Sequence, residues 1–172
     1  MEQVLFRIKN ILEAEFASEI QKVNAKMQAS DITNYGKAIT LHSPIQYKVG
    51  VHSVNNAFVP SVFVYNTNLR YNIQDWGTAG VISLPIMVDI NIRSDNPTTL
   101  SILRDRYLVV LLNIFAHNPR LGLHNNDEIA ESVEIVGSDI KVMAHSPENF
   151  AINCIMNVNI LSYSVYKYYG LD

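Results

Sequence analysis

The feature that most constrains the fold is a strict two-residue alternation between positions 82 and 92. Isoleucine, leucine or valine stands at every even position, and between them lie Ser83, Pro85, Met87, Asp89 and Asn91. This pattern predicts a β-strand with one buried face and one exposed face. Pro85 has no backbone N–H to donate to a neighbouring strand, so its end of the strand is expected at a sheet edge or a bulge.

Two helices are predicted. The core helix spans residues 97–117, with Asn96 as N-cap and Pro97 at its first position. Its part between residues 107 and 115 is apolar except for Asn113, which exceeds one buried stripe. We therefore expect this helix to be covered by the sheet and also by a neighbouring subunit.

The other helix is long and amphipathic and spans residues 1–28. Apolar residues recur at spacings of three and four from Val4 to Met27. The opposite face is predicted to carry Arg7, Lys9, Glu13, Glu19, Lys22 and Lys26.

The rest of the chain is predicted to be extended. Candidate strands cover residues 38–41, 45–51 and 61–65, followed by a long amide-rich loop over residues 66–80. In the C-terminal part, strands 128–136 and 139–144 flank a hairpin turn at Gly137-Ser138, and strand 150–160 ends in a bulge after Ile160. Runs of strands with the helices segregated from them predict one α+β domain over residues 1–172, with a mixed or antiparallel sheet and both helices packed on one face.

Composition excludes several classes of protein. A net charge of −3 does not suit a nucleic-acid binder that relies on phosphate contacts. Asparagine, with 18 residues, outnumbers the 16 acidic residues, and only 17% of the chain is charged, which favours packing against other proteins. The single cysteine, Cys154, cannot form an intrachain disulfide. Without a signal-peptide pattern or a long apolar run, the chain is expected to be soluble and made in a reducing cytoplasm.

The motif search predicts no enzyme, no catalytic residue and no cofactor. The seven glycines are scattered, so no Gly-rich loop can hold phosphates, and Cys154 lies in a strand, where a nucleophile is not expected. A carboxylate pair made by Asp89 and Asp95 stays open as an alternative, although capping of the second helix explains Asp95.

A metal site is also not predicted. His117, His124 and Asp127 could supply three ligands after the second helix, but their spacing matches no standard motif. His117 is explained as a residue favoured at a helix C-terminus.

The aromatic residues mark a candidate interface. One group lies in the long loop and another at the C-terminus, and both contain the residue types enriched where proteins meet. The alternative is that Trp76 packs on its own domain and the tyrosines line the exposed face of the last strand. The candidate interface residues are Arg70, Tyr71, Trp76, Tyr163, Tyr166, Tyr168 and Tyr169.

The order of elements resembles that of the tail terminator (tail completion) proteins of long-tailed bacteriophages and related neck proteins. The residues that carry the resemblance are the long N-terminal helix, strand 81–93, the cap Ser94-Asp95-Asn96-Pro97, helix 98–117 and the β-rich end. The resemblance implies a non-catalytic virion protein, assembled in the host cytoplasm, which forms a ring at the top of the tail tube.

The ring is expected to be a homohexamer that contacts the tail tube protein and neck or connector proteins, with no membrane partner. DNA is expected to pass through it without specific binding, which fits the net charge and the amides Asn153, Asn157 and Asn159. Two alternatives remain. One is a small cytoplasmic adaptor whose aromatic loop binds another protein, and the other is a metal-binding protein using residues 117–127.

Overall fold

The computed structural model describes residues 2–50, 60–66, 72–74, 81–94, 96–122, 129–142 and 149–161. These residues form two helices and six strands in one sheet. In chain order the elements are α1 (Glu2–Tyr35), β1 (Gln46–Val49), β2 (Ser61–Asn66), β3 (Asn72–Gln74), β4 (Val81–Arg93), α2 (Pro97–His117), β5 (Ser132–Val142) and β6 (Asn149–Leu161).

The sheet is mixed, which is one of the two forms, mixed or antiparallel, that the sequence predicts. Its strand order is β1-β2-β4-β6-β5, and β3 pairs with β4 beside the end of β2. Among the described strand pairs, β1–β2 is parallel and the others are antiparallel. Both helices contribute to one apolar core with the even-numbered side chains of β4, such as Ile86, Val88 and Ile90. The α+β class with two helices on one face of the sheet is therefore confirmed.

Helix α1 is longer than predicted, because it continues from residue 28 to Tyr35. It ends at Gly36, whose φ is 70° and whose N–H donates to the Ile32 carbonyl oxygen at 3.1 Å. This left-handed residue is the usual way to end a helix. The polar sequence after Met27 concealed the last two turns, which include the buried Asp31.

Replacement of Gly36 by alanine should lower the free energy of unfolding by about 1–2 kcal/mol, since a left-handed backbone disfavours any Cβ. The loss is conformational, because a Cβ added here would meet nothing within 4 Å. Urea unfolding of Gly36→Ala measures it. Gly137→Ala is the matched control, because that site also has free space but a backbone without positive φ. Equal losses for the two variants would contradict the explanation.

The predicted strand at residues 38–41 does not exist. Backbone groups of this segment bond to side chains of the helices instead of to a neighbouring strand. The N–H of Leu41 donates to Asn24 Oδ1 at 2.9 Å, and Asn24 Nδ2 donates back to the Leu41 carbonyl at 3.0 Å. The N–H of Ile39 donates to Asp31 Oδ2 at 3.0 Å. Because Ile39 and Leu41 are buried against the helices, their alternating pattern imitates a strand.

The predicted hairpin at Gly137-Ser138 is wrong as well. Strand β5 runs unbroken from Ser132 to Val142 and pairs with β6 along its whole length. The register shifts between Ile135 and Gly137, so Val136 is the extra residue of a β-bulge. A single glycine inside a strand is a common sign of a bulge, and both halves of the segment find their partner in the long strand β6.

Strand β4 lies in the middle of the sheet. Pro85 pairs opposite Asn157 of β6, while on its other side the pairing with β2 ends at Ile86 and that with β3 ends at Ser83. The register between β4 and β6 passes Pro85 without a shift, so the expected edge or bulge at this end of the strand is not found among the described residues. The predicted loop 66–80 contains the short strand β3. The bulge predicted after Ile160 is absent up to Leu161, which still pairs with Val81. Residues 162–172 lie outside the described part.

Helix α2 has the predicted limits and caps. The side chain of Asn96 accepts hydrogen bonds from the N–H groups of Thr98 and Thr99. At the other end Asn118 Nδ2 donates to Glu15 Oε1 at 2.9 Å, while Arg106 is paired with Asp31. The later contact residue of α2 pairs with the earlier one of α1, so the two helices pack antiparallel.

One predicted surface residue of α1 is buried. Glu19 is 3% exposed, forms an ion pair with Lys22 and accepts a hydrogen bond from Asn113 at 3.5 Å. Glu19 is buried because the two helices contact each other through polar side chains, such as Asn113, as well as through apolar ones.

Candidate assembly surfaces

The predicted interface residues lie outside the described part of the chain. They are Arg70, Tyr71, Trp76, Tyr163, Tyr166, Tyr168 and Tyr169. The same holds for Asp95, His124 and Asp127. His117 is exposed in the last turn of α2, as expected for a residue at a helix C-terminus.

An apolar patch lies on the outer side of α2. Val109 is 40% exposed and Leu112 is 46% exposed, and their spacing of three places them side by side. The opposite side of the helix is buried in the core through Leu103, Tyr107, Val110, Leu111 and Ile114. The excess of apolar residues noted in the sequence thus corresponds to exposed side chains.

Among the strands that the structure describes, β1 and β5 stand at the two ends of the strand order. The β5 edge carries the exposed acids Glu134 and Asp139, with Glu131 just before the strand. The only charged residue of β1 is Lys48, which is also exposed. An exposed apolar side chain accompanies each edge: Ile45 next to β1 is 66% exposed, and Val136 at the bulge is 57% exposed. The two edges therefore carry charges of opposite sign, and each has an exposed apolar side chain beside it.

The register defines a row of side chains across the sheet face opposite the helices. This transverse row is Lys48, Phe63, Asp89, Asn153 and Asp139. Its middle members are buried, with exposed fractions of 5%, 4% and 3%, whereas both end members are exposed. The prediction that the odd-numbered face of β4 is solvent-exposed is therefore wrong for Met87, Asp89 and Asn91, which are all buried.

Asp89 is held within this face by neutral partners. Its carboxylate accepts a hydrogen bond from the Tyr65 hydroxyl at 2.6 Å and another from Asn153 Nδ2. Burial, and then the adjacent Asp89, raise the pKa of Tyr65 well above its ordinary value, so this hydroxyl stays protonated and keeps donating. These two hydrogen bonds satisfy the buried carboxylate of Asp89, a residue that the sequence pattern places on the exposed face of β4.

Buried side-chain oxygens without a hydrogen-bond partner also lie on this face. Among the described residues, Asn91 Oδ1 and Asn153 Oδ1 are buried without a hydrogen-bond partner, and Asp89 lies next to both along the ladder. Groups of three or more histidine, cysteine, aspartate or glutamate side chains with metal-binding geometry do not occur in the described ranges. The histidine–aspartate set predicted as an alternative falls largely outside those ranges.

Cys154 is fully buried in β6, on the side of the sheet that faces the helices. Burial raises the pKa of its thiol to about 12, so the thiol stays protonated at neutral pH. A protonated, inaccessible thiol is a poor nucleophile and acts here as a small apolar residue.

In the described part of the chain, neither helix combines the length and hydropathy needed to cross a bilayer.

Comparison with known proteins gives similarity to solved structures but none to known sequences or family models. No protein-family model matches the sequence, and no curated protein sequence matches it. Among solved structures, a chain of the "Virion of native gene transfer agent (GTA) particle" is similar with a TM-score of 0.42 and 5% sequence identity. The alignment covers 67% of this chain and 78% of that chain. At this level the similarity assigns no family and no residue role.

Proposed function

We propose that this chain is a structural virion protein that forms a ring at the head-proximal end of a phage tail tube. There it would end tail assembly and join the tail to the neck. The observation that carries the proposal is the order of elements, with a long first helix, the strand–cap–helix unit of β4 and α2, and a β-rich end. That order is the basis of the resemblance to tail terminator proteins, and the sheet places both helices on one face as such an α+β subunit requires.

A ring of identical subunits needs two different contact surfaces on each copy, because head-to-tail contacts join unlike patches. The exposed sheet edges and the apolar patch on α2 (Val109 and Leu112) offer such surfaces within the described residues. The aromatic residues of loop 66–80 and of the C-terminus would serve contacts with the tail tube protein and the neck or connector proteins. The protein would work without a cofactor or a catalytic step.

The proposed ring would let DNA pass without holding it. A net charge of −3 supports this, since a basic lumen would bind phosphates by releasing counterions. The amides of β6 support this channel wall less than the sequence predicts. Asn153 is buried at 3% exposure and cannot line a channel, whereas Asn157 and Asn159 are half-buried.

The mass of the purified protein tests the proposal. Size-exclusion chromatography with light scattering should show a closed oligomer of the 19.4 kDa chain, expected to be a hexamer, either alone or after addition of purified tail tubes. Electron microscopy of the mixture should show the added mass at one end of each tube. A protein that stays monomeric in both preparations would contradict the ring.

A further inference from the structure

We propose that neighbouring copies of this chain join edge to edge, with β5 of one copy beside β1 of the next. This inference rests on the proposed homo-oligomer and names its contact. The occupant of each edge is a second copy of the chain, so the sheet would continue from subunit to subunit.

The strand directions suit this contact. Strand β4 is antiparallel to both β2 and β6, β1 runs parallel to β2, and β5 runs antiparallel to β6. Consequently β1 and β5 point in opposite directions at the two ends of one sheet. When a second copy stands beside the first in the same orientation, as in a ring, β5 and the next β1 meet as antiparallel strands. Edge strands present unpaired N–H and C=O groups that such a neighbour can complete.

The charges at the two edges are complementary. Lys48 and Asp139 stand at opposite ends of the same transverse row, and both are exposed. If the row continues level into the next copy, Lys48 lies directly across from Asp139. Opposite charges that face each other across strands stabilise a pair, and like charges destabilise it.

The same charges disfavour the simplest competing arrangement. A two-fold dimer of β5 strands centred between Val136 and Gly137 would bring Glu134 of one copy against Asp139 of the other, with Lys141 as the only basic residue of the strand. The bulge at Val136 also makes the edge irregular, which limits indiscriminate pairing. The charges and the bulge therefore favour pairing of β5 with β1 over pairing of β5 with a second β5.

An exposed apolar side chain would add to the contact. Ile45 immediately precedes β1 and is more than half exposed. Because β1 has four residues, the paired region is short, and closure of the ring, in which every copy makes two such contacts, supplies the cooperativity.

Charge reversal tests the contact. Lys48→Glu and Asp139→Lys should each raise the dissociation constant of the oligomer about tenfold, since attraction becomes repulsion. The double variant Lys48→Glu/Asp139→Lys should return to within about threefold of the unchanged protein, because the pair is restored with its signs exchanged. Lys26→Glu, an equal change of charge on the exposed side of α1, is the matched control and should leave assembly unchanged. Light scattering over a dilution series gives the constants.

Crosslinking provides a measurement that does not depend on affinity. In a Cys154→Ala background, Lys48→Cys together with Asp139→Cys should form a ladder of covalent oligomers with a short bis-maleimide, whereas Asp139→Cys alone should not. A protein that oligomerises while the charge variants assemble normally and no ladder forms would overturn the edge contact and leave the proposed ring standing. Failure of the unchanged protein to oligomerise, alone or on tail tubes, would instead overturn the proposed function.

Discussion

Replacement of Arg106 by methionine should lower the free energy of unfolding by about 3–5 kcal/mol, the usual cost of breaking a buried ion pair. The guanidinium of Arg106 donates to both carboxylate oxygens of Asp31 and to the Ile39 carbonyl at 2.5 Å. Asp31 is 2% exposed, so its carboxylate would be left buried without a counter-charge. Urea unfolding followed by circular dichroism measures the change.

A second variant separates the charge from the packing. Asp31→Leu combined with Arg106→Met should recover part of the loss, because no uncompensated charge remains. The recovery should be incomplete, since the Ile39 N–H, which donates to Asp31 at 3.0 Å, would lose its acceptor. A single variant that loses less than about 1 kcal/mol would show that the pair behaves as an exposed one.

The pH dependence supplies an independent readout of the same pair. The hydrogen bond from Arg106 holds the pKa of Asp31 below its ordinary value of 3.8, against the opposing effect of burial and with help from the Ile39 N–H. A lowered carboxyl pKa contributes stability that is present above the unfolded value and is lost as pH falls below it. The unchanged protein should therefore lose stability below about pH 4 more steeply than Asp31→Asn, which has no such group.

The substitution Ile90→Asp should abolish the folded state or cost several kcal/mol, because it places an unpaired charge in the core. Ile90 has no exposed surface, and it lies between Val62 and Ile152 at the centre of the sheet. Ile90→Val, which keeps the side chain apolar, should cost only about 0.5–1.5 kcal/mol.

Val136→Asp is the control for the general effect of an acid in a strand. Val136 is 57% exposed at the bulge of β5, so the same new charge should have little effect on the melting temperature. An Ile90→Asp variant that melts like the unchanged protein would mean that the even-numbered face of β4 does not meet the helices.

The elements that could be predicted are those whose signals are local. Alternation over residues 82–92 identified β4, and Asn96 with Pro97 identified the start of α2, because a cap and a fixed φ act within a few residues. Their packing also followed, since an apolar face has to be buried against another apolar face. The α+β class depends on no more than this.

The sequence predictions are wrong where residues far along the chain complete the hydrogen bonds of the backbone. Residues 38–41 have the pattern of a strand, but Asn24 and Asp31 of α1 complete their hydrogen bonds. Gly137-Ser138 has the sequence of a hairpin turn, but β6 is long enough to pair with the whole of β5, which contains a bulge beside Gly137. In each case local sequence is compatible with two structures, and contacts far along the chain decide between them.

Among the candidate contact surfaces, too, some have a local sequence signal and others depend on the tertiary structure. The surplus of apolar residues in α2 predicted that a neighbour covers it, and the structure shows Val109 and Leu112 exposed there. The edges β1 and β5, and the opposite charges of Lys48 and Asp139 on them, carry no local signal, because an edge is defined only by the order of strands.

By itself, the sequence determined the two helices, the central strand and the class of fold, because periodicity and capping act over one or two turns. The tertiary structure alone decided which acids are buried, where the sheet ends and which residues share a row across it. Those properties depend on strand order and register, and they join residues such as Lys48 and Asp139 that lie far apart along the chain.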